Sequence, residues 1–226
     1  MPPKQKKSFG TDDILLVLCK SVTKVLSQAT GSEVKYSPVV QRISKTSLKP
    51  DIGCFVLFDG VFSGLVIMNF GADSAMELYR SYMGRMGMPE NELASRHTSD
   101  EVGNTLGELM NQAVGEFTAA MEYELQISVT QSQPKMIAIN KEVVLSINTN
   151  LDNPQARKVA FLTQGHHPFF MEMAMEKTTF LRIEETSNGE RPSVDDILSD
   201  AQNAMEREAA PASPSSHDEL LDSLGL

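Results

Sequence analysis

The chain has 226 residues, of which 41% are hydrophobic, and these values predict one domain with a buried core and a shorter appendage. The formal net charge is −10, but residues 184–226 carry 11 acidic and 2 basic residues, so the rest of the chain is nearly neutral. Because no basic patch with interleaved aromatic residues is present, we expect no binding to nucleic acid.

The sequence has no apolar run of 18 residues or more, so we expect no transmembrane helix. Residues 1–10 are basic and lack the apolar run of a signal peptide, and we interpret them as a disordered end. Cys19 and Cys54 are the two cysteines and lie in apolar surroundings. Buried reduced thiols are typical of a cytoplasmic protein, which is the location we expect.

The first half of the chain predicts helices and strands in mixed order. Apolar residues at helical spacing favour a first helix that ends at Gly31, and Asp59-Gly60 is a hairpin signal between two apolar runs. The predicted elements are a helix over residues 12–29, an extended segment over 33–48, strands over 54–58 and 63–70, and a helix over 72–86.

A long helix is predicted over residues 99–122, with Ser99 as its N-cap and acidic residues in its first turn. Its apolar residues recur at steps of three and four, which places them on one face. These residues are Val102, Leu106, Leu109, Met110, Ala113, Val114 and Phe117.

A second stripe on this helix is polar and includes Asn104, Glu108, Asn111 and Gly115. A carboxylate and a carboxamide one turn apart can point at one external target. The plain alternative is that the stripe is only the solvated face of an amphipathic helix. Glycine inside a helix costs roughly 0.5–1 kcal/mol relative to alanine, so Gly107 and Gly115 suggest the close approach of another chain segment or a partner.

Beyond residue 134 the pattern predicts further strands, at residues 142–148, 157–163, 169–176 and 178–183. His166 and His167 lie between two of them, and we interpret them as a solvent-facing turn, since no third metal ligand is near in sequence. We predict no metal site. The order of elements favours an α+β fold, with helices packed on an antiparallel sheet.

Pro134 follows Asn111 after 22 intervening residues, which gives the pattern N-x3-E-x2-N-x22-P from Asn104 onward. This pattern resembles the signature of the CheC/CheX/FliY phosphatases of bacterial chemotaxis. In that family the first position is Asp or Ser, so Asn104 is a departure. The resemblance covers roughly residues 10–183 and implies a CheX-like domain over residues 11–183. It also implies a homodimer, formed through sheet edges or strand exchange.

The acidic C-terminal part is predicted as a linker over residues 184–215, with an amphipathic helix over 193–209, followed by a docking peptide over 216–226. An isolated helix as short as the last segment is not stable in water, so we expect it to fold on a partner. The docking residues are Asp218, Glu219, Leu220, Leu221, Leu224 and Leu226. The last segment resembles the C-terminal peptide of CheZ, which docks on CheY, although Leu226 replaces the usual Phe.

The two resemblances imply one substrate, the aspartyl phosphate of a CheY-like response regulator. By similarity, Asn111 orients the attacking water and Glu108 pairs with a lysine of the receiver domain. Asn104, Gly115 and Pro134 support the site. The resemblance implies no cofactor of the protein's own, because the receiver domain supplies Mg²⁺.

Two other functions remain open from the sequence. The same helix and tail fit a non-enzymatic adaptor that binds a receiver domain or a flagellar or chemoreceptor component. The 13 methionines also allow a small-molecule sensor. A closed pocket, together with a Glu108 that faces away from partners, would favour the sensor.

Overall fold

The computed structural model describes residues 8–148 and 150–181. Of the end predicted to be disordered over residues 1–10, residues 8–10 form a strand, whereas residues 1–7 lie outside the described part. Residues 182–226, which include the predicted linker and docking peptide, also lie outside it. In chain order the elements are β1 (Ser8–Gly10), α1 (Thr11–Thr30), β2 (Lys35–Ile43), β3 (Thr46–Leu48), β4 (Ile52–Gly60), β5 (Gly64–Phe70), α2 (Ala72–Arg85), a 3-10 turn (Glu90–Glu92), α3 (Asp100–Leu125), β6 (Val129–Gln131), β7 (Lys135–Ala138), β8 (Leu145–Ile147), β9 (Gln155–Leu162), β10 (Pro168–Met175) and β11 (Thr179–Leu181).

Seven strands form the main sheet, in the order β2-β9-β10-β5-β4, with β6 and β7 both paired to the far side of β4. Every pairing in this sheet is antiparallel. The three α-helices contribute to the same apolar core as one face of the sheet. The predicted α+β fold with helices on an antiparallel sheet is therefore confirmed.

Successive side chains along a strand point to opposite faces of the sheet, and this alternation explains which residues enter the core. Cys54, Val56 and Phe58 of β4 point into the helix-facing core, whereas Phe55 lies against a second cluster on the opposite face. Both Cys19 and Cys54 are free and buried, as predicted, and burial raises the pKa of each thiol to about 12.

The helix boundaries follow local signals. Gly31 ends α1 in the left-handed conformation, with φ of 68°, and its N–H donates to the carbonyl of Ser27. At the other end of α1, the backbone N–H of Gly10 donates to Asp13 Oδ2 at 2.9 Å. The predicted helix over 72–86 is also present, and it ends one residue earlier, at Arg85.

The outer face of the sheet is partly covered by a two-stranded sheet of β3 and β8. Glu172, only 1% exposed, accepts hydrogen bonds from the Ser47 backbone N–H at 2.8 Å and from Lys49 Nζ at 3.0 Å. Asn69 Oδ1 accepts from the Lys49 backbone N–H at 2.7 Å. These bonds satisfy buried polar groups and hold β3 against the central strands.

Three sequence predictions about strands are wrong in detail. The predicted hairpin is present, since β4 and β5 pair antiparallel up to Phe58 and Gly64. Asp59 and Gly60 of its connection are not a simple turn, however, because they continue β4 and pair with Thr130 and Val129. The segment predicted over 178–183 does not extend the main sheet, since β11 pairs with β1. The strand predicted over 142–148 is limited to β8 and pairs only with β3.

The turn between β9 and β10 is fixed by Glu77 of α2. Its carboxylate accepts from Thr163 Oγ1 at 2.5 Å, from the Gly165 N–H at 2.8 Å and lies 2.7 Å from His167 Nδ1. The predicted turn at His166 and His167 is confirmed, but His167 contacts a carboxylate as well as solvent. Burial alone would raise the pKa of Glu77, yet the three hydrogen bonds outweigh it and hold that pKa below its usual range.

We expect Glu77→Gln to lower the free energy of unfolding by about 1–2 kcal/mol at pH 7, because a charged acceptor is lost. A carboxyl group with a lowered folded-state pKa adds stability above its unfolded pKa and loses it as pH falls through the folded-state value. The Tm difference between wild type and Glu77→Gln should therefore shrink below about pH 4. Thermal unfolding from pH 7 to pH 3 tests this, with exposed Glu90→Gln as the control. A difference that stays constant with pH would contradict it.

Candidate functional site

Helix α3 is anchored by its apolar face, and this anchoring decides where its polar residues point. All seven predicted apolar residues are buried, and Thr105 and Met121 are buried with them. Fully burying one large apolar side chain contributes about 1.5–3 kcal/mol, which exceeds the cost of a helical glycine. Ser99 is the N-cap residue as predicted, although its side chain makes no capping hydrogen bond.

The polar stripe faces solvent. Asn104, Glu108 and Asn111 are exposed, and Gly115 is partly exposed. Glu108 and Asn111 are three residues apart in an unbroken α-helix, so their side chains leave the same surface about 4.5 Å apart along the helix axis. An external protein can therefore reach the carboxylate and the carboxamide at once. Glu108 therefore faces outward, which is not the arrangement that would favour a small-molecule sensor.

The chain returns beside this stripe through β6 and β7. Residues 111–125 of α3 rise about 21 Å, and about seven extended residues cover the same distance in return. This arithmetic returns the chain to the level of Asn111 close to Pro134, which follows Asn111 after 22 intervening residues. The observed contacts agree, since Gln131 of β6 hydrogen-bonds Asn111 and Met136 of β7 lies against Gly107.

Pro134 lies in the gap between β6 and β7, where the strand paired to β4 is interrupted. Just before it, the Ser132 N–H donates to the Leu57 carbonyl at 2.8 Å, and Ser132 Oγ accepts from the Leu57 N–H at 3.0 Å. Proline has no N–H to contribute to a ladder, so a gap at a sheet edge accommodates it without loss.

Two glutamines that were not predicted as site residues contact the stripe. Gln112 Nε2 donates to Glu108 Oε1 at 2.9 Å, one turn along the helix. Gln131 Nε2 lies 3.1 Å from Asn111 Oδ1 and 3.3 Å from the Asn111 backbone oxygen. The strands β6 and β7 were also missed, because the polar run from Thr130 to Gln133 hides their alternation.

The glycines of α3 differ in what surrounds them. A Cβ at Gly107 would lie 3.2 Å from Met136 Cγ, so internal packing explains this glycine. A Cβ at Gly115 would meet Gln131 Nε2 at an ordinary 3.8 Å, and one at Gly103 would meet nothing within 4 Å. Packing therefore leaves the glycine at 115 unexplained, which keeps the close approach of a partner as its expected role.

The exposed face of α3 is acidic. Besides Glu108, the exposed face of α3 carries Glu101 and Glu122, while Tyr123 is 89% exposed. Glu116 forms an ion pair with Lys24 of α1 at 2.5 Å. A partner with basic groups at its binding surface matches this face.

The described part of the chain contains no group of three or more His, Cys, Asp and Glu side chains that could hold a metal ion. Within that same part, none of the helices combines the length and apolar character that crossing a lipid bilayer requires.

Alanine substitutions distinguish the glycine that packs against Met136 from the two that do not. We expect Gly115→Ala and Gly103→Ala to raise the free energy of unfolding by about 0.5–1 kcal/mol each, because alanine is the better helix former. Gly107→Ala should gain less or lose stability, since Met136 must move. Urea unfolding of the three variants measures this. An equal gain at all three positions would show that Met136 does not constrain residue 107.

Comparison with solved structures finds proteins that share this fold. A chemotaxis protein CheX from Desulfovibrio desulfuricans aligns with a TM-score of 0.59 and 18% identity, over 73% of this chain and 99% of that chain. CheX from Vibrio vulnificus aligns with a TM-score of 0.59 and 16% identity, over 73% and 99%. A CheX-CheY-BeF3-Mg²⁺ complex from Borrelia burgdorferi aligns with a TM-score of 0.53 and 15% identity, over 73% and 98%.

The comparison with curated protein sequences gives no match. At these identities the structural similarity establishes the fold, which is that of the CheX and CheC-like chemotaxis proteins. The sequence comparison covers more of the chain, since residues 5–226 match one family. The chain therefore belongs to the family described as "Protein of unknown function (DUF3334)".

Proposed function

We propose that this protein hydrolyses the aspartyl phosphate of a CheY-like response regulator, with Glu108 and Asn111 as its catalytic residues. The observation that carries the proposal is the joint exposure of these two side chains on a helix whose opposite face is buried. The fold supports it, because one protein with this fold is recorded in a complex with CheY, BeF3 and Mg²⁺. CheY-like receiver domains are therefore the substrate class to test.

The reaction needs a water molecule placed in line with the bond to be broken. The water oxygen forms a new bond to phosphorus, and the bond between phosphorus and the aspartyl oxygen breaks. Its electron pair stays on the aspartate as a carboxylate, and the protons of the water leave with inorganic phosphate or pass to solvent. Asn111, as a neutral amide that protrudes from a rigid helix, is suited to orient that water.

Glu108 acts as the residue that positions the substrate. A carboxylate beside a phosphoryl group is repelled by it, so Glu108 pairs instead with a lysine of the receiver domain, away from the line of attack. Gln112 donates to one carboxylate oxygen, and this bond leaves the other oxygen free for the partner. Loss of Glu108 should therefore weaken binding as well as slow the reaction.

The remaining residues of the pattern support this surface. Asn104 lies one turn before Glu108 on the exposed stripe and extends the surface that the partner contacts. Gly115 leaves room for the receiver backbone, and Pro134 shapes the adjoining edge. The receiver domain supplies the Mg²⁺ that neutralises the phosphoryl oxygens, so the protein needs no cofactor of its own.

Asn111→Ala tests the enzymatic role. We expect the rate of phosphate release from a phosphorylated receiver domain to fall about 100-fold, because the water loses its orientation, while the Kd for the receiver changes little. Phosphate release and binding by calorimetry measure the two quantities, with the receiver domains of the same cell as substrates. Asn140→Ala, at an exposed asparagine outside α3, is the control.

The same experiment distinguishes the phosphatase from an adaptor. An adaptor would bind the receiver domain, and neither wild type nor Asn111→Ala would accelerate phosphate release. That result would overturn the enzymatic proposal and leave the exposed stripe as a binding surface. Activity that survives in Asn111→Ala would show that the reaction uses other residues.

The predicted docking peptide over residues 216–226 lies outside the described residues, and we propose that it binds the same response regulator. A tethered docking peptide raises the local concentration of substrate at the catalytic surface. Its acidic and leucine-rich composition suits a groove on a folded partner. The linker over 184–215 would then set the reach of the tether.

Deletion of residues 217–226 should raise KM for the phosphorylated receiver domain by about 10-fold or more and leave kcat nearly unchanged. Steady-state kinetics of the truncated and full chains measure this. A full-length variant in which the four leucines of residues 217–226 are replaced with serine is the matched control for chain length. Equal losses in kcat and KM would argue against a docking role.

We also propose that the protein forms a homodimer through the free edge of β2. Among the described strands, β2 pairs only with β9, and its Val39 and Val40 are 73% and 44% exposed. An open edge with exposed apolar residues favours pairing with a second strand. Sedimentation velocity should show a dimer in the wild type and a larger monomer fraction in Val39→Lys. A wild type that is monomeric at all concentrations would contradict this.

A further inference from the structure

Two carboxamides face each other beside the exposed stripe. Gln131 is the last residue of β6, and its Nε2 lies within hydrogen-bond distance of two oxygens of the same residue, Asn111 Oδ1 and the Asn111 backbone oxygen. Because β6 is anchored by its pairing with β4, Gln131 approaches the helix from a rigid support. The contact therefore links the side chain of Asn111 to the sheet.

Elementary donor and acceptor chemistry fixes the orientation of both amides. A backbone carbonyl can only accept, so the atom of Gln131 that faces it must be the NH₂ group. With that group turned toward the helix, the facing atom of Asn111 must also be an acceptor, which is Oδ1. The Asn111 NH₂ group then points away from Gln131, into the solvent-exposed part of the stripe.

The other end of the Gln131 amide has no partner. Its Oε1 is buried and accepts no hydrogen bond among the described residues. An unsatisfied buried acceptor reduces stability, and such groups in a folded protein call for an explanation. An apolar side chain of the same length would avoid this cost, so the glutamine is present for what its NH₂ group does.

We infer that Gln131 is a positioning residue that holds the Asn111 amide with its NH₂ group directed at the partner, an inference that rests on the proposed function. A water that accepts a hydrogen bond from Asn111 Nδ2 keeps a second lone pair for attack on phosphorus. If the amide were free to rotate, this water would be oriented only part of the time.

Gln131→Met tests the inference, because methionine keeps the length of the side chain and removes the amide. We expect kcat for phosphate release to fall about 10- to 100-fold with KM unchanged, since binding does not depend on the orientation of Asn111. Thermal stability should stay equal or rise, because the unsatisfied Oε1 is removed. Gln133→Met, the same change at an exposed side chain two residues further on, is the control.

A double-mutant cycle excludes a general structural effect. In an Asn111→Ala background, Gln131→Met should have no further effect on the residual rate, because the residue on which it acts is gone. If the two substitutions lowered the rate of phosphate release independently, so that their effects combined in the double variant, the inference would be overturned. A fall in kcat that is accompanied by a loss of thermal stability would also overturn it.

A second measurement does not require phosphatase activity. The side-chain NH₂ signals of Asn111, assigned by their loss in Asn111→Ala, should shift in the NMR spectrum of Gln131→Met and stay unchanged in Gln133→Met. Unchanged Asn111 signals in Gln131→Met would overturn the inference. An inactive wild type would overturn the proposed function instead, and the NMR result would still decide whether Gln131 orients Asn111.

Discussion

The apolar face of α3 is buried against the other helices and the sheet, and this burial decides where the exposed side chains of the helix point. Leu106, Leu109 and Phe117 are completely or almost completely buried in the core between the helices and the sheet, and this packing fixes the rotation of the helix about its own axis. A helix that cannot rotate must present the residues of its opposite face to solvent at fixed positions. The exposure of Glu108 and Asn111 is therefore a consequence of apolar packing, and the free energy of that packing maintains it.

The sheet contributes a second constraint, through its interrupted edge. Strands β6 and β7 bring Gln131 and Met136 to the side of α3, where one glutamine orients a polar residue and one methionine fills the gap above Gly107. The proposed site thus combines a helix that presents side chains and a strand that adjusts them. Such support from a neighbouring element is typical of sites in which an amide must keep one orientation.

The two faces of the sheet have separate roles. The helix-facing side contains the large core, with stacked rings such as Phe161 and Phe169 at 5.1 Å. The opposite side holds a smaller apolar cluster and the buried Glu172, whose charge is satisfied by bonds to Ser47 of β3 and to Lys49. A carboxylate buried to this extent is retained only where its hydrogen bonds are complete. This polar attachment holds β3 on the outer face without a contribution from α3.

The helices, the α+β class and the exposed stripe could be predicted from the sequence, because helical periodicity is a local property that a run of side chains records directly. The sequence also marked Pro134, through its spacing from Asn111. It did not determine β6 and β7, the pairing of β11 with β1, or the strand character of Asp59 and Gly60, since these depend on which segments meet in space. The bond from Gln112 to Glu108 joins residues one turn apart in α3 and is therefore local. The contacts of Gln131 and Gly107 depend on the tertiary structure, because each is defined by a partner on another element.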